Sequence, residues 1–154
     1  MYEYRATVVK IVDGDTVDVD IDLGFGICMK DERVRIMGID TPESRTRDKV
    51  EDLFGEAAKA RVAQLLQGDV VLKTQIARNG EDMKGKFGRI LGDFMVEDKL
   101  LTDILITEGH AVAYFGGSKE EIAMKHLANR EKLLREGLIA REDYDAAVKL
   151  MEGK

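Results

Sequence analysis

The chain has 154 residues, which suits one domain with a sizeable core. Its 44% hydrophobic and 35% charged residues describe an ordinary globular protein, and no apolar run is long enough to cross a membrane. A net charge of −6 weighs against a strongly basic nucleic-acid binder, and the single cysteine excludes an internal disulfide. The first residues lack a secretory signal pattern, so we expect a cytoplasmic protein.

The first half of the chain has the alternating apolar and polar residues of β-strands. In chain order, this pattern predicts strands at 5–12 and 16–22 and a third through Val34, Ile36 and Ile39. The Asp13-Gly14 pair between the first two is a tight-turn signal. The only proline, Pro42, ends the third strand and opens a polar loop, Ser44–Asp52, which we expect to be mobile and to lie over a cleft.

Helical spacing begins at Phe54 and continues to Leu66, before Gly68. The remaining predicted elements, in order, are strands at 69–77 and 87–96, a helix at 99–108, a strand at 110–115, a helix from Ser118 to about Glu136, and a peripheral helix at 141–152. In the Ser118 helix, the stripe of Ala123, Leu127 and Leu134 is predicted to be core. Short strands interrupted by one helix and followed by others predict an α+β protein, mainly β, with a small closed barrel and packed helices.

A first group of functional candidates consists of carboxylates. Asp15 lies at the start of one predicted strand, and Asp40 and Glu43 follow the end of another. If these strands are neighbours, the three anions meet at one rim and repel each other unless a cation lies between them. Such oxygen ligands suit calcium or magnesium better than zinc. Each fragment alone also fits a solvated turn or loop.

A second group consists of arginines on strands. Arg35 lies five residues before Asp40, and Arg89 follows Lys86-Phe87-Gly88 at the start of a predicted strand. Either arginine could simply occupy the solvated face of its strand. Two guanidinium groups opposite a cation would instead clamp a phosphate and neutralise the charge that develops on it during reaction.

The ordered motifs resemble those of the staphylococcal nuclease family. They are Asp-Gly-Asp-Thr, then Val-Arg-Ile-x-Gly-Ile-Asp-Thr-Pro-Glu, Phe-Gly-Glu-Ala-Ala, Lys-x-Gly-Arg and Glu-Gly-x-Ala, and the resemblance as a whole extends from about residue 9 to 137. The resemblance implies a single domain over 1–154 with an OB-fold five-stranded β-barrel, three packed helices and here a short additional C-terminal helix. It also implies calcium-dependent hydrolysis of DNA or RNA with little sequence specificity.

The resemblance assigns roles to individual residues. Asp15 and Asp40 match the metal-binding carboxylates, the Thr41 carbonyl matches a further ligand, and Asp13 matches a supporting acid. Glu43 matches the residue proposed to orient or deprotonate the attacking water. The phosphate-clamping arginines correspond to Arg35 and Arg89, and the nucleotide-binding positions to Lys86, Phe87 and Tyr114. Calcium is the expected cofactor, with magnesium or another divalent cation as alternatives.

The pocket positions depart from the family pattern. Phe87 replaces a tyrosine, and Tyr114 aligns ambiguously with a pair of tyrosines, so substrate preference stays open. Single-stranded or frayed DNA or RNA is the expected partner, without a membrane, and the protein is expected to be a monomer. The main alternative is a noncatalytic module that binds nucleic acid or protein. His110 and His126 are interpreted as packing or surface residues.

Overall fold

Five strands form a closed ring in the computed structural model, which describes residues 2–74, 89–114 and 118–152. The described residues also contain three strands of two residues each. In chain order the strands are β1 (Tyr2–Asp13), β2 (Thr16–Gly24), β3 (Ile27–Ile36), β4 (Ile39–Asp40), β5 (Asp69–Thr74), β6 (Ile90–Val96), β7 (Lys99–Leu100) and β8 (Val112–Ala113). The helices are α1 (Lys49–Leu65), α2 (Leu101–Glu108), α3 (Lys119–Arg135) and α4 (Arg141–Glu152).

The order of strands around the ring is β3-β2-β1-β5-β6, and β6 returns to β3. The closing β3–β6 pair is parallel, whereas the other four pairs are antiparallel. Closure leaves these five strands without a free edge, which is how an OB fold protects its sheet. The predicted α+β architecture, with a five-stranded barrel, three helices and a C-terminal helix, is therefore confirmed.

Alternating residues of the strands fill the barrel. Val17, Val19 and Ile21 of β2 point inward together with Val34 and Ile36 of β3, and all are at most 2% exposed. Asp18 lies between these apolar residues in the sequence and is nevertheless only 8% exposed, because the Arg33 guanidinium binds its carboxylate.

Helix α1 begins earlier than predicted, because Asp48 accepts hydrogen bonds from the backbone N–H groups of Val50 and Glu51 and caps the first turn. The polar loop predicted over Ser44–Asp52 is correspondingly shorter than expected. Ser44 is buried and bonds Asp13, which ties the start of the loop to the β1–β2 turn.

The C-terminal helices build a second apolar cluster beside the barrel. Phe54 of α1 packs with Leu133 of α3 and Ile139, and the Tyr144 ring of α4 meets the Phe54 ring edge-on at 6.1 Å. The helix predicted at 141–152 is therefore present and packs against α1. None of the helices in the described ranges is long and apolar enough to cross a membrane.

Other boundaries differ from the sequence predictions. Gly38, at a φ of +78°, separates Ile39 from β3 and starts the short strand β4, which pairs with β8. The predicted helix at 99–108 begins with strand β7, and the predicted strand at 110–115 is reduced to β8. The ends of the strands predicted at 69–77, 87–96 and 110–115 extend into residues 75–88 and 115–117, outside the described residues.

Candidate active site

The β1–β2 turn and the end of β3 bring the first two candidates together. Thr16 pairs with Arg35 in the β2–β3 ladder, and the Ile36 N–H donates to the Asp15 carbonyl at 2.8 Å. As a result, the Asp15 Oδ2 and Arg35 Nη2 atoms lie 3.4 Å apart. These two residues are 20 positions apart in the chain, and they meet because β3 runs antiparallel to β2 and ends beside the β1–β2 turn.

Helix α1 supports the segment that carries Thr41 and Glu43. A Cβ atom at Gly55 would lie 2.3 Å from the Glu43 carbonyl oxygen, so α1 can approach this backbone only with a glycine. A Cβ at Gly14 would likewise lie 2.9 Å from the Ala58 Cβ. One face of α1 therefore fixes both the β1–β2 turn and the loop after β4.

These segments enclose one polar cavity of about 310 Å³. Its lining includes the predicted metal ligands, the supporting acid and the catalytic candidates, namely Asp13, Asp15, Arg35, Asp40, Thr41, Glu43 and Arg89. Tyr114 lines a neighbouring cavity, which shares Arg35 and Asp40 with the first. Lys86 and Phe87 lie outside the described residues.

The Arg35 guanidinium is held from several sides. Its Nη1 donates to the carbonyl of Ile36, its Nη2 donates to the carbonyl of Ile39 at 3.0 Å, and Asp15 faces it. A guanidinium has five N–H donors, so these contacts orient the group while engaging only part of it. Such preorganisation suits a side chain that receives a phosphate oxygen.

Asp13 connects the turn to the loop that follows Glu43. Its Oδ1 accepts a hydrogen bond from the Ser44 hydroxyl, and its Oδ2 lies 3.8 Å from Arg45 Nη2. The carboxylate thereby ties the side chain of Ser44, the residue after Glu43, to the β1–β2 turn. This supporting contact fits the role that the sequence resemblance gave to Asp13.

The carboxylates of the cavity act on each other electrostatically. Desolvation raises the pKa of Glu43, and repulsion from Asp15 and Asp13 raises it further, with smaller contributions from Glu51 and Asp40. Several hard oxygen donors that disfavour each other's charge are the donor set that a divalent cation such as calcium neutralises. The chemistry of the site therefore fits a cation.

A preassembled metal shell is not found in the described ranges, where no three His, Cys, Asp or Glu side chains converge closely enough to hold an ion. Asp15 instead faces Arg35, and Asp40 faces an imidazole.

Comparison with known proteins identifies the family. A family described as "Staphylococcal nuclease homologue" matches residues 33–140, which is more than half of the chain. The chain belongs to the staphylococcal nuclease family. The match begins at residue 33 and therefore does not include Asp15. The contact between Asp15 and Arg35 places this carboxylate beside the matched segment.

Several curated proteins are similar to this chain in sequence. Endonuclease YncB of Bacillus subtilis (strain 168) is 31% identical over 71% of this chain and 48% of its own length. The thermonuclease of Staphylococcus intermedius is 32% identical over 70% and 58%, and protein ParB of Escherichia coli is 30% identical over 88% and 72%. The matches thus span about half of the first two proteins.

One contact of this family member was missed by the sequence interpretation. The His126 Nε2 atom of α3 lies 2.7 Å from Asp40 Oδ2, so His126 orients a predicted metal ligand and is more than a surface residue. The two residues are 86 positions apart, and no local motif joins them. Of the packing and surface roles left open for His110, burial favours packing, because this residue is only 6% exposed and burial lowers its pKa.

The predicted core stripe of α3 is wrong for two of its three residues. Leu127 is 56% exposed, and Ala123 is exposed as well, whereas Leu133 is the fully buried residue of this helix. The helical spacing was right, but the packed face lies on a different side of the helix.

Proposed function

We propose that the protein is a divalent-cation-dependent nuclease that hydrolyses phosphodiester bonds of DNA or RNA, with calcium as the preferred cation. The observation that carries this proposal is that one cavity brings together two arginines with Asp15, Asp40 and Glu43. Family membership and the names of the relatives support a nuclease.

The chain's own residues would divide the reaction as follows. Arg35 and Arg89 bind the nonbridging oxygens of the scissile phosphate and stabilise the charge that grows on them as a water oxygen attacks phosphorus. Glu43, whose pKa is raised, orients that water and accepts its proton. The bond between phosphorus and the leaving oxygen breaks, and the leaving oxygen takes up a proton from solvent.

Asp15, Asp40 and the Thr41 carbonyl would hold the cation. When bound, the cation supplies positive charge to the phosphate and lowers the pKa of coordinated water. His126 contacts Oδ2 of Asp40, and Arg35 contacts Oδ2 of Asp15, so each carboxylate is held through one of its two oxygens. Single-stranded or frayed substrates are favoured, because an OB barrel offers an open surface to unpaired bases.

Digestion assays test this proposal. Plasmid, single-stranded DNA and RNA are incubated with calcium, with magnesium and with a chelator, beside Asp40→Asn as a matched inactive variant. We expect cleavage with calcium, weaker cleavage with magnesium, because magnesium demands a near-octahedral shell, and loss of cleavage with the chelator. Undiminished cleavage after chelation, or equal activity of Asp40→Asn, would contradict the mechanism.

A further inference from the structure

A further cavity, of about 600 Å³, adjoins the candidate active site, and we call it the Arg33 cavity. Its border with the active-site cavity is formed by Asp13, Thr16 and Arg89, which line both. Among the described residues, it has no lining residue in common with the cavity at Tyr114. The active-site cavity therefore continues into two separate cavities, one at Tyr114 and one at Arg33.

Arg33 is held in the same way as Arg35. The two residues are two positions apart in β3, so their side chains leave the same face of the strand at points about 7 Å apart. The Nε and Nη2 atoms of Arg33 donate to the two carboxylate oxygens of Asp18 on β2, at 2.9 and 3.2 Å. These bonds engage two of the five N–H donors, and the side chain is 51% exposed. β3 thus presents a second oriented guanidinium beside the one proposed to bind the scissile phosphate.

Arg45 contributes another cation to this cavity from the loop before α1. Its backbone has a φ of +57°, a left-handed conformation that few residues other than glycine adopt, and its N–H donates to Asp52 Oδ1 at 2.5 Å. Its Nη2 atom lies 3.8 Å from Asp13 Oδ2, and its side chain is 62% exposed. The loop therefore maintains an uncommon backbone conformation at the residue whose guanidinium lines the cavity.

Three aspartates also line the Arg33 cavity, and two of them have partners that hold them. Asp18 binds Arg33 through both oxygens, and Asp13 ties the loop before α1 to the β1–β2 turn. The third, Asp31, lies at a β-bulge of β3 with a φ of +53°, where its N–H donates to Asp20 Oδ1 at 2.8 Å. Asp31 is exposed and interacts electrostatically with Arg33. It is therefore the acid of this cavity that would repel an anionic ligand.

We propose that the Arg33 cavity binds the phosphate next to the scissile phosphate, on the side of the strand away from Tyr114. This proposal rests on the nuclease function proposed above. Arg45 and the N–H groups of Arg33 that Asp18 leaves unused contact the nonbridging oxygens of that phosphate, and Asp31 limits the strength of the contact. Guanidinium groups match phosphate oxygens well, and proteins bind single strands in grooves that follow the backbone from one phosphate to the next.

The test uses a short single-stranded oligonucleotide in which one linkage is a neutral methylphosphonate. The rates of cleavage at the two bonds that flank this linkage are compared with the rates at the same bonds of the unmodified strand. One bond then lacks the neighbouring charge on its 3′ side and the other lacks it on its 5′ side. In the wild type, the neutral linkage should lower kcat/KM about 2- to 5-fold at the bond whose neighbour reaches the Arg33 cavity, as for loss of an exposed ion pair.

Arg45→Asn removes the cation, while asparagine tolerates the left-handed backbone. In this variant the effect of the neutral linkage should disappear at that bond and stay unchanged at the other bond. Arg47→Asn changes an exposed arginine of the same loop outside the cavity and should keep both effects. If the wild type shows no effect at either bond, or if Arg45→Asn keeps the wild-type effect at both bonds, the subsite proposal is overturned.

Asp31→Asn should change the rate in the opposite direction, because it removes the repelling anion. It should raise kcat/KM about 2- to 5-fold on the unmodified strand and give no gain at the bond whose neutral neighbour reaches the cavity. Asp22→Asn, an exposed aspartate of the same hairpin outside the cavity, should change neither rate. Arg33 is left in place, because its loss would leave the buried Asp18 carboxylate without its partner.

The two proposals fail in different ways. If the wild type cleaves no strand with any divalent cation, the nuclease proposal fails. If the wild type cleaves the strand and Asp31→Asn gives no more gain than Asp22→Asn, the nuclease proposal stands and the subsite proposal is overturned.

Discussion

Glu43 links the stability of the protein to its proposed chemistry. Because desolvation and neighbouring carboxylates raise its folded pKa, the folded protein binds the Glu43 proton more tightly than the unfolded chain does. The stabilisation from this proton is present below the unfolded pKa and is lost as pH rises through the folded pKa. Ionised Glu43 therefore destabilises the cation-free protein at neutral pH.

Glu43→Gln should consequently unfold at a higher temperature than the wild type at pH 7 without divalent cation. This difference should shrink toward pH 4, while kcat falls on the order of 10²- to 10⁴-fold, as for loss of a general base. Thermal unfolding from pH 4 to 8 and initial rates measure both effects. Glu56→Gln, on the exposed side of α1, is the control and should change neither. If Glu43→Gln were less stable than the wild type at pH 7, the proposed repulsion between Glu43 and its neighbouring carboxylates would be refuted.

The two arginines test whether the site is built for a transition state. Lysine keeps the charge of Arg35 or Arg89 but loses the planar fork that matches two phosphate oxygens. Arg35→Lys and Arg89→Lys should each lower kcat on the order of 10²-fold, while strand binding without cation weakens far less. Normal cleavage together with a large loss of strand binding would show that both arginines only bind the substrate and do not stabilise the transition state.

At the scale of elements, α1 determines the position of the Glu43 backbone. Alanine at an ordinary helix position stabilises by roughly 0.5–1 kcal/mol relative to glycine. At Gly55 the added Cβ would meet the Glu43 carbonyl oxygen at 2.3 Å, so α1 or the loop must shift. Gly55→Ala should therefore destabilise by about 1–3 kcal/mol, as overpacking does, and should lower kcat as well.

Denaturant unfolding of Gly55→Ala, beside activity, checks this prediction. Ala60→Gly, on an exposed position of the same helix, provides the comparison, since there alanine should be the more stable residue. A Gly55→Ala protein that gains stability and keeps full activity would show that α1 does not constrain the loop.

The elements also show what the sequence could and could not predict. Alternation predicted β2, whose inward residues are buried in the barrel core, and it also predicted β1, although Val9 of that strand is 51% exposed. A helical stripe looks the same whether a neighbour covers it or not, which is why Leu127 was placed in the core and is instead exposed. The His126–Asp40 contact depends on how α3 packs beside β4, and no local spacing encodes it.

At the scale of the whole molecule, the net negative charge opposes the binding of nucleic acid that we propose for the site. The net charge of −6 weakens attraction to a polyanion, and the acidic side chains of the cavity add local repulsion. On the proposed function, we expect the cation to be needed for binding of the strand as well as for chemistry. The family motifs predicted the residues of the cavity, whereas the partners that hold Asp15 and Asp40 became visible only in the folded chain.

Calcium should therefore stabilise the folded protein itself. A cation that binds only the folded state at about 100 times its Kd contributes roughly 2.7 kcal/mol, which raises Tm by about 5–10 °C for a chain of this size. Differential scanning calorimetry with calcium chloride, compared with sodium chloride at equal ionic strength, separates binding from general screening. Asp15→Asn combined with Asp40→Asn should keep the sodium response and lose the calcium response. If calcium stabilises this double variant as strongly as the wild type, the cation binds elsewhere and the carboxylates are not its ligands.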